Sequence, residues 1–243
     1  MFKRLLLTLA LLTLAVPSLQ AQDQATRVYV AYYQISYGDM EEWIESYNRA
    51  SVPVLEALVE EGVINGFGMR MHSTGGEYNI RFVAQGDDDT NFGAFWSQYL
   101  GRLNEADPVG AERTNRMIQA HEDEIWHIDE LVLAEGGGGA KYFYDAQFVV
   151  NFADLGAWNE MFAETFRPAL DEAMAEGLLQ GWVVESHDTG GRFNFKLITM
   201  VDDWDNIDDV TGKIFASAPL SHPIWSMFSA HKDEVWESFP PSG

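Results

Sequence analysis

Paired histidines are the residues of this 243-residue chain whose type and spacing could do chemistry. His72 and His187 open the strings His72-Ser-Thr-Gly-Gly and His187-Asp-Thr-Gly-Gly. There a ring nitrogen could accept from the turn backbone or from Thr74 and Thr189, or serve as a ligand or acid–base group. His121 and His231 follow helical segments, where a histidine interacts favourably with the helix dipole. Asn79 and Asn194 are each followed two residues later by a cation, Arg81 and Lys196. Strand alternation puts each pair on one face, opposite Tyr78, Ile80, Phe82 and Phe193, Phe195, Leu197. The cations are expected to pair with local carboxylates, with ligand binding by Asn79 and Asn194 as the alternative. No His-Glu-x-x-His helix, phosphate loop, dinucleotide glycine fingerprint or Gly-x-Ser-x-Gly elbow is present. With no cysteine, thiolate chemistry, disulfides and Cys-ligated metals are excluded, and no metal site is expected.

These residues occur twice because the chain is two copies of one unit. A shift of 115 residues places Asp39 on Asp154, Trp43 on Trp158, Pro53 on Pro168 and His72–Asn79 on His187–Asn194. After a five-residue deletion in the second copy, His121-Glu-Asp-Glu-Ile-Trp126 falls on His231-Lys-Asp-Glu-Val-Trp236. Each copy begins with a Val/Tyr-rich strand (Val28–Ile35, Tyr142–Val150). An amphipathic helix follows, with Asp39 or Asp154 as predicted N-cap and a proline that kinks it. A Thr-Gly-Gly hairpin comes next, then an irregular helical region (91–120, 206–230) and a last strand at Ile125 or Val235. The order β-α-β-β-α-β, twice, predicts an α+β chain of two ferredoxin-like units. Each unit leaves one sheet face bare, so the two sheets are expected to pack into an intramolecular barrel with helices outside. Residues 22–135 form the first unit, 136–140 a glycine linker and 141–243 the second.

Residues 1–21 read as a secretory leader: Lys3 and Arg4, an apolar run from Leu5 to Val16, and a small residue at Ala21. The expected location is therefore periplasmic or extracellular. The formal charge is −23, and −25 once the leader is removed. Such a chain is not a nucleic-acid binder and does not dock on anionic membranes. Hydrophobic content of 47% supports a substantial core. The aromatic surplus on the helical segments suits a small-molecule pocket between helices and sheet.

The paired Trp43/Trp158 and Pro53/Pro168 helix positions, the Glu-Gly turns and the element order resemble the dimeric α/β-barrel superfamily in fused, tandem form. That resemblance implies a monomeric pseudo-dimer or a higher homo-oligomer. It covers monooxygenases, haem-degrading and haem-binding enzymes, isomerases and members of unknown activity. Gln119-Ala120-His121 and Ser229-Ala230-His231 are similar to the Ala-His of its haem-degrading and antibiotic-type monooxygenases. Carried over, His121 and His231 are the catalytic pocket histidines, with Trp96 and Trp225 as aromatic walls. The implied function is binding of an apolar or aromatic compound, with oxidation that needs no tightly bound cofactor. The alternatives are a haem protein with a histidine axial ligand, and a non-catalytic binding or structural module.

Overall fold

A computed structural model describes residues 25–135 and 139–239. The leader expected at 1–21 and positions 136–138 of the expected linker lie outside the described residues. The first half runs β1 (Arg27–Ile35), α1 (Met40–Ser46), a π-helical turn (Tyr47–Ser51), α2 (Val52–Glu60), β2 (Gly66–Thr74), β3 (Ile80–Gly86), α3 (Phe92–Ala106), α4 (Pro108–Met117) and β4 (Ile118–Leu133). The second runs β5 (Tyr142–Val150), α5 (Leu155–Ala175), β6 (Gly181–Thr189), β7 (Phe195–Val201), α6 (Asp205–Ser217), a 3-10 turn (Pro223–Ser226) and β8 (Phe228–Phe239).

The eight strands close into one antiparallel barrel in the order β1-β3-β2-β8-β5-β7-β6-β4. Closure comes from the long last strand of each half. β4 pairs with β1 of its own half and then with β6 of the other; β8 pairs with β5 and then with β2. Each half thus covers the edge that the other would expose, which removes the open edges of a four-stranded sheet. Alternation divides the strand residues between two environments. Tyr29, Ala31 and Phe82 face the first helical layer; Phe148, Phe195 and Leu197 face the second. Val28, Val30, Trp126, Phe143, Val183 and Trp236 fill the barrel itself.

The inward cations hold the halves together. Arg81 pairs with Asp145 and lies 3.5 Å from Glu234, while Lys196 reaches Glu124 at 3.1 Å. Each crosses from one half to the other. Arg81 also lies over Trp236 and Lys196 over Trp126. Such pairs specify register more than they add stability, because burial costs each ion its hydration.

The two Gly-Gly hairpins have the same crossing role. The Gly76 amide donates to Glu234 at 3.1 Å. Gly191 has φ +61°, and a Cβ there would collide with the Glu124 carboxylate. Glycine is required because the hairpin backbone closes on a carboxylate of the opposite half.

Several details differ from the sequence reading. Asp39 and Asp154 occupy N-cap positions without a side-chain cap bond. The last strands begin at Ile118 and Phe228, so His121 and His231 lie on strands and not at helix ends. Tyr78 and Phe193, which precede their strands, pack on the barrel interior, on the side of Arg81 and Lys196 and not opposite them. The proline is interior to α5 but sits at the start of α2, directly after the π turn.

Candidate functional site

The first half contains a cavity of about 790 Å³ between its helical layer and the outer face of its strands. That volume suits a small organic ligand. Strand period places Tyr29 and Tyr33 of β1 on its floor, beside His121 and Asp123 of β4. Tyr33 and His121 are paired in register and their rings stack at 5.0 Å, 8° from parallel. His121 Nε2 lies 2.7 Å from Asp123 Oδ1. Asp123 thus places an anion beside Nε2 and leaves Nδ1 as the ring nitrogen that faces no carboxylate of this pair.

The walls come from the helices. Trp96 of α3 stands edge-on to Tyr29 at 5.3 Å and to Tyr99 at 5.2 Å. Trp43 stacks on Tyr47 at 5.8 Å. The π turn contributes Tyr47 and Ser51, and Tyr99 donates to Ser51 Oγ at 2.9 Å. A π turn widens the helix locally and recurs at functional positions. Helix α4, capped by Asp107 on the Gly110 amide, supplies Ala111, Glu112, Thr114 and Asn115 as roof.

Burial pushes the Tyr29, Tyr33, Tyr47 and Tyr99 hydroxyls up, and the Asp123 charge adds to the shift of Tyr29 and Tyr33. All four remain neutral phenols at physiological pH, able to donate or accept hydrogen bonds. The charged lining residues are Glu112 and Asp123, with no Lys or Arg. The site therefore favours neutral, flat, apolar ligands with hydrogen-bonding substituents and disfavours anions.

The second half is filled at the corresponding place. Tyr33, Tyr47, Ser51 and Tyr99 have Phe148, Phe162, Phe166 and Ile214 as counterparts, all in the second helical core. The π turn is absent, since α5 runs continuously from Leu155 to Ala175. The five-residue deletion removes the equivalent of α4 and leaves the short turn that carries Trp225. Trp225 packs on Phe166 and Phe215 and donates from Nε1 to the Ala218 carbonyl at 2.8 Å.

The sequence-selected residues separate accordingly. Trp96 and His121 line the cavity. Trp225 is not the counterpart of Trp96, which is Thr211, and it plugs the second half. His231 repeats the His–Asp pair with Asp233 at 2.9 Å and stacks on Phe148, away from the cavity. Asn79 accepts from the Ile35 amide at 2.9 Å and donates to its carbonyl at 2.6 Å; Asn194 does the same at Val150. Both amides are committed to backbone, so neither is a ligand group. His72 and His187 sit edge-on to the buried Trp236 and Trp126 of the opposite half. His187 Nε2 meets the Gly190 carbonyl, so the ring donates to the turn and does not accept from it. Of six further lining residues, Tyr47 and Tyr99 belong to the helical aromatic surplus expected to line a pocket, whereas Tyr29, Tyr33, Ser51 and Asp123 carry no such expectation. The signal for four of the six was available: a hydroxyl in the first copy where the second has none.

Among the described residues no group of three metal-ligating side chains converges. Haem fits the cavity poorly. Its two propionates need cations, and the lining has only Glu112 and Asp123. The nearby Arg49 and Arg113 are paired with Asp107 and Glu42.

No family model matches the chain, and no curated protein matches its sequence. Solved structures do share its fold. One is a candidate monooxygenase from Lactobacillus acidophilus, with 13% identity, TM-score 0.59, and 88% of this chain and 94% of that chain covered. Another is an anthrone oxidase-like protein, with 11% identity, TM-score 0.51, and coverage of 90% and 92%. A third is a haem-binding protein from Thermus thermophilus, with 9% identity, TM-score 0.51, and coverage of 88% and 91%.

Proposed function

We propose that this chain, built on the dimeric α/β-barrel fold, binds a flat hydroxylated aromatic compound in its first-half cavity and oxidises it with dioxygen, without a bound cofactor. The observation that carries this reading is the hydroxyl-for-phenyl divergence between the copies. Tyr33, Tyr47, Ser51 and Tyr99 surround a space that Phe148, Phe162, Phe166 and Ile214 close in the other half.

His121 is the general base. Nδ1 takes a proton from an activated C–H or phenolic O–H of the ligand, and Asp123 stabilises the resulting imidazolium. The neutral tyrosines donate hydrogen bonds to the developing oxyanion. The electron-rich anion then reacts with dioxygen. For an anthrone-type substrate, a ring methylene and one dioxygen give a ketone carbonyl and one water. Two C–H bonds are exchanged for one C=O, the O–O bond breaks, and the second oxygen leaves with both protons. The fold shared with an anthrone oxidase-like protein supports this reaction class. The leader at 1–21 supports an exported protein.

Anthrone itself is the probe. Oxygen uptake and anthraquinone absorbance are followed against the enzyme-free rate. The reading requires saturable turnover that falls about 100-fold in His121→Ala, the scale of general-base removal. Saturable binding, read by quenching of tryptophan fluorescence and lost in Trp96→Leu, with no turnover above background would reduce the protein to a binding module. Absence of binding would remove the aromatic-ligand reading altogether.

A further inference from the structure

The barrel has a second opening, at the end closed by the two Gly-Gly hairpins. A cavity of about 610 Å³ lies there, on the pseudo-twofold axis that relates the halves. Its floor is Tyr32, Glu124 and Gln147, all buried. Residues at equivalent positions of the two copies line its sides, and their charges are reversed. The first half contributes Glu77 and Glu122; the second contributes Arg192 and Lys232. Two aromatic counterparts, Tyr78 and Phe193, complete the walls together with His231 and Gly191 of the second half.

These charges do not neutralise each other. Among the described residues, Glu77 and Glu122 have no cation within ion-pair distance, and Arg192 has no carboxylate. Arg192 lies instead over the Phe193 ring, 4.9 Å from its centroid. Lys232 is bound to Glu234 of its own strand at 2.9 Å. The result is a mouth with an acidic side, a basic side and aromatic walls. A ligand carrying one charge meets repulsion from one side, whereas a zwitterion satisfies both.

We propose that this mouth binds a small zwitterion of the α-amino-acid type with a flat apolar part. The ammonium is received by Glu77 and Glu122, the carboxylate by Arg192 and Lys232, and the apolar part by Tyr78 and Phe193. This site is separate from the aromatic cavity and does not depend on what that cavity binds.

The test is titration of the ¹⁵N-labelled protein with L-phenylalanine, phenethylamine and 3-phenylpropionate, reading amide shifts. L-Phenylalanine should give saturable shifts at Tyr78, Gly191 and Lys232. It should bind at least ~10-fold more tightly than either singly charged analogue, each of which forfeits one charge-assisted contact. The shifts should persist in Trp96→Leu, which separates the mouth from the aromatic cavity. Arg192→Glu should remove phenylalanine binding and favour phenethylamine. Glu77→Gln should weaken phenylalanine binding and shift the preference toward 3-phenylpropionate, because the acidic side loses one receiver of the ammonium. If Arg192→Glu fails to fold, Arg192→Gln should lose the preference over phenethylamine. Equal affinity for the three probes, no saturable hairpin shifts at about 10 mM, or a preference that does not move in Glu77→Gln would overturn the proposal.

Discussion

Tyr33 and Phe148 stand at the same position of the two halves, each stacked on the histidine that faces it across the β ladder, and they differ by one hydroxyl. The hydroxyl lies where the first half is hollow, and the bare ring lies where the second is packed. The same contrast recurs at Tyr47 and Phe162, Ser51 and Phe166, and Tyr99 and Ile214. One backbone design therefore carries two cores of different kinds.

Converting the first core into the second should abolish ligand binding without loss of the fold. The triple change Tyr47→Phe, Ser51→Phe and Tyr99→Ile installs the second-half residues together and avoids stranding the Tyr99–Ser51 hydrogen bond. Anthrone affinity should fall at least ~100-fold, while the added apolar burial holds or raises Tm. Fluorescence titration and calorimetry on the same sample check both halves of this statement.

Haem titration should leave the Soret band at its free-haem position, in the parent protein and equally in His121→Ala. The cavity has no cation for the propionates and presents the carboxylates of Glu112 and Asp123 instead. A shifted, His121-dependent Soret band would reverse this conclusion.

Glu185 is buried in the barrel with one carboxylate oxygen unpartnered, and burial pushes it up to about 7. Lys196, Arg81 and Arg70 face it and pull it down, while Asp145 opposes them. The folded protein thus holds a proton that the unfolded chain releases near pH 4.5. Stability should fall as pH rises from about 4.5 to 7 and then level off, by up to roughly 3 kcal/mol from this group. Glu185→Gln should flatten that slope in urea titrations across the window, with its largest gain above about pH 7.

Gly191→Ala should destabilise by about 2 kcal/mol or more, since it combines a positive φ with a side chain directed at Glu124. Gly177 also has a positive φ but has open space around it, so Gly177→Ala should lose only the conformational part. Chemical denaturation of the two variants separates strain from collision.

Arg81→Met should cost about 3–5 kcal/mol, because it strands the Asp145 carboxylate in the barrel and leaves Glu234 with Lys232 alone as its cation. Replacing all three ions with apolar residues should recover much of the loss. A double and triple substitution series in urea measures the recovery.

The architecture was legible because it rests on backbone requirements repeated in the chain. The two glycine hairpins and the cations after Asn79 and Asn194 each appear twice for a reason of packing between halves, and the Glu-Gly helix ends because the chain leaves each helix through a positive φ. The site was less legible because it has no motif. It consists of side chains that fail to fill space, and an absence has no residue signature. Histidine drew attention in both copies, yet the His–Asp pair is present in both halves and cannot tell them apart. The boundary of the last strand also misled. Ile118–Glu124 carries too many polar residues to resemble a strand, because its outer face borders the cavity and its inner face meets buried ions.

Closure of the barrel within one chain frees the protein from symmetry. In a dimer of identical subunits every substitution occurs twice, so a change that hollows one helical layer hollows the other and doubles the loss of packing. Here β4 and β8 join two unequal halves into a single barrel. The Phe-packed second half can act as a counterweight to the first, whose core is open to chemistry. The same inequality permits Glu77 to face Arg192 across the axis, a dipole that no twofold-symmetric assembly can present at its centre.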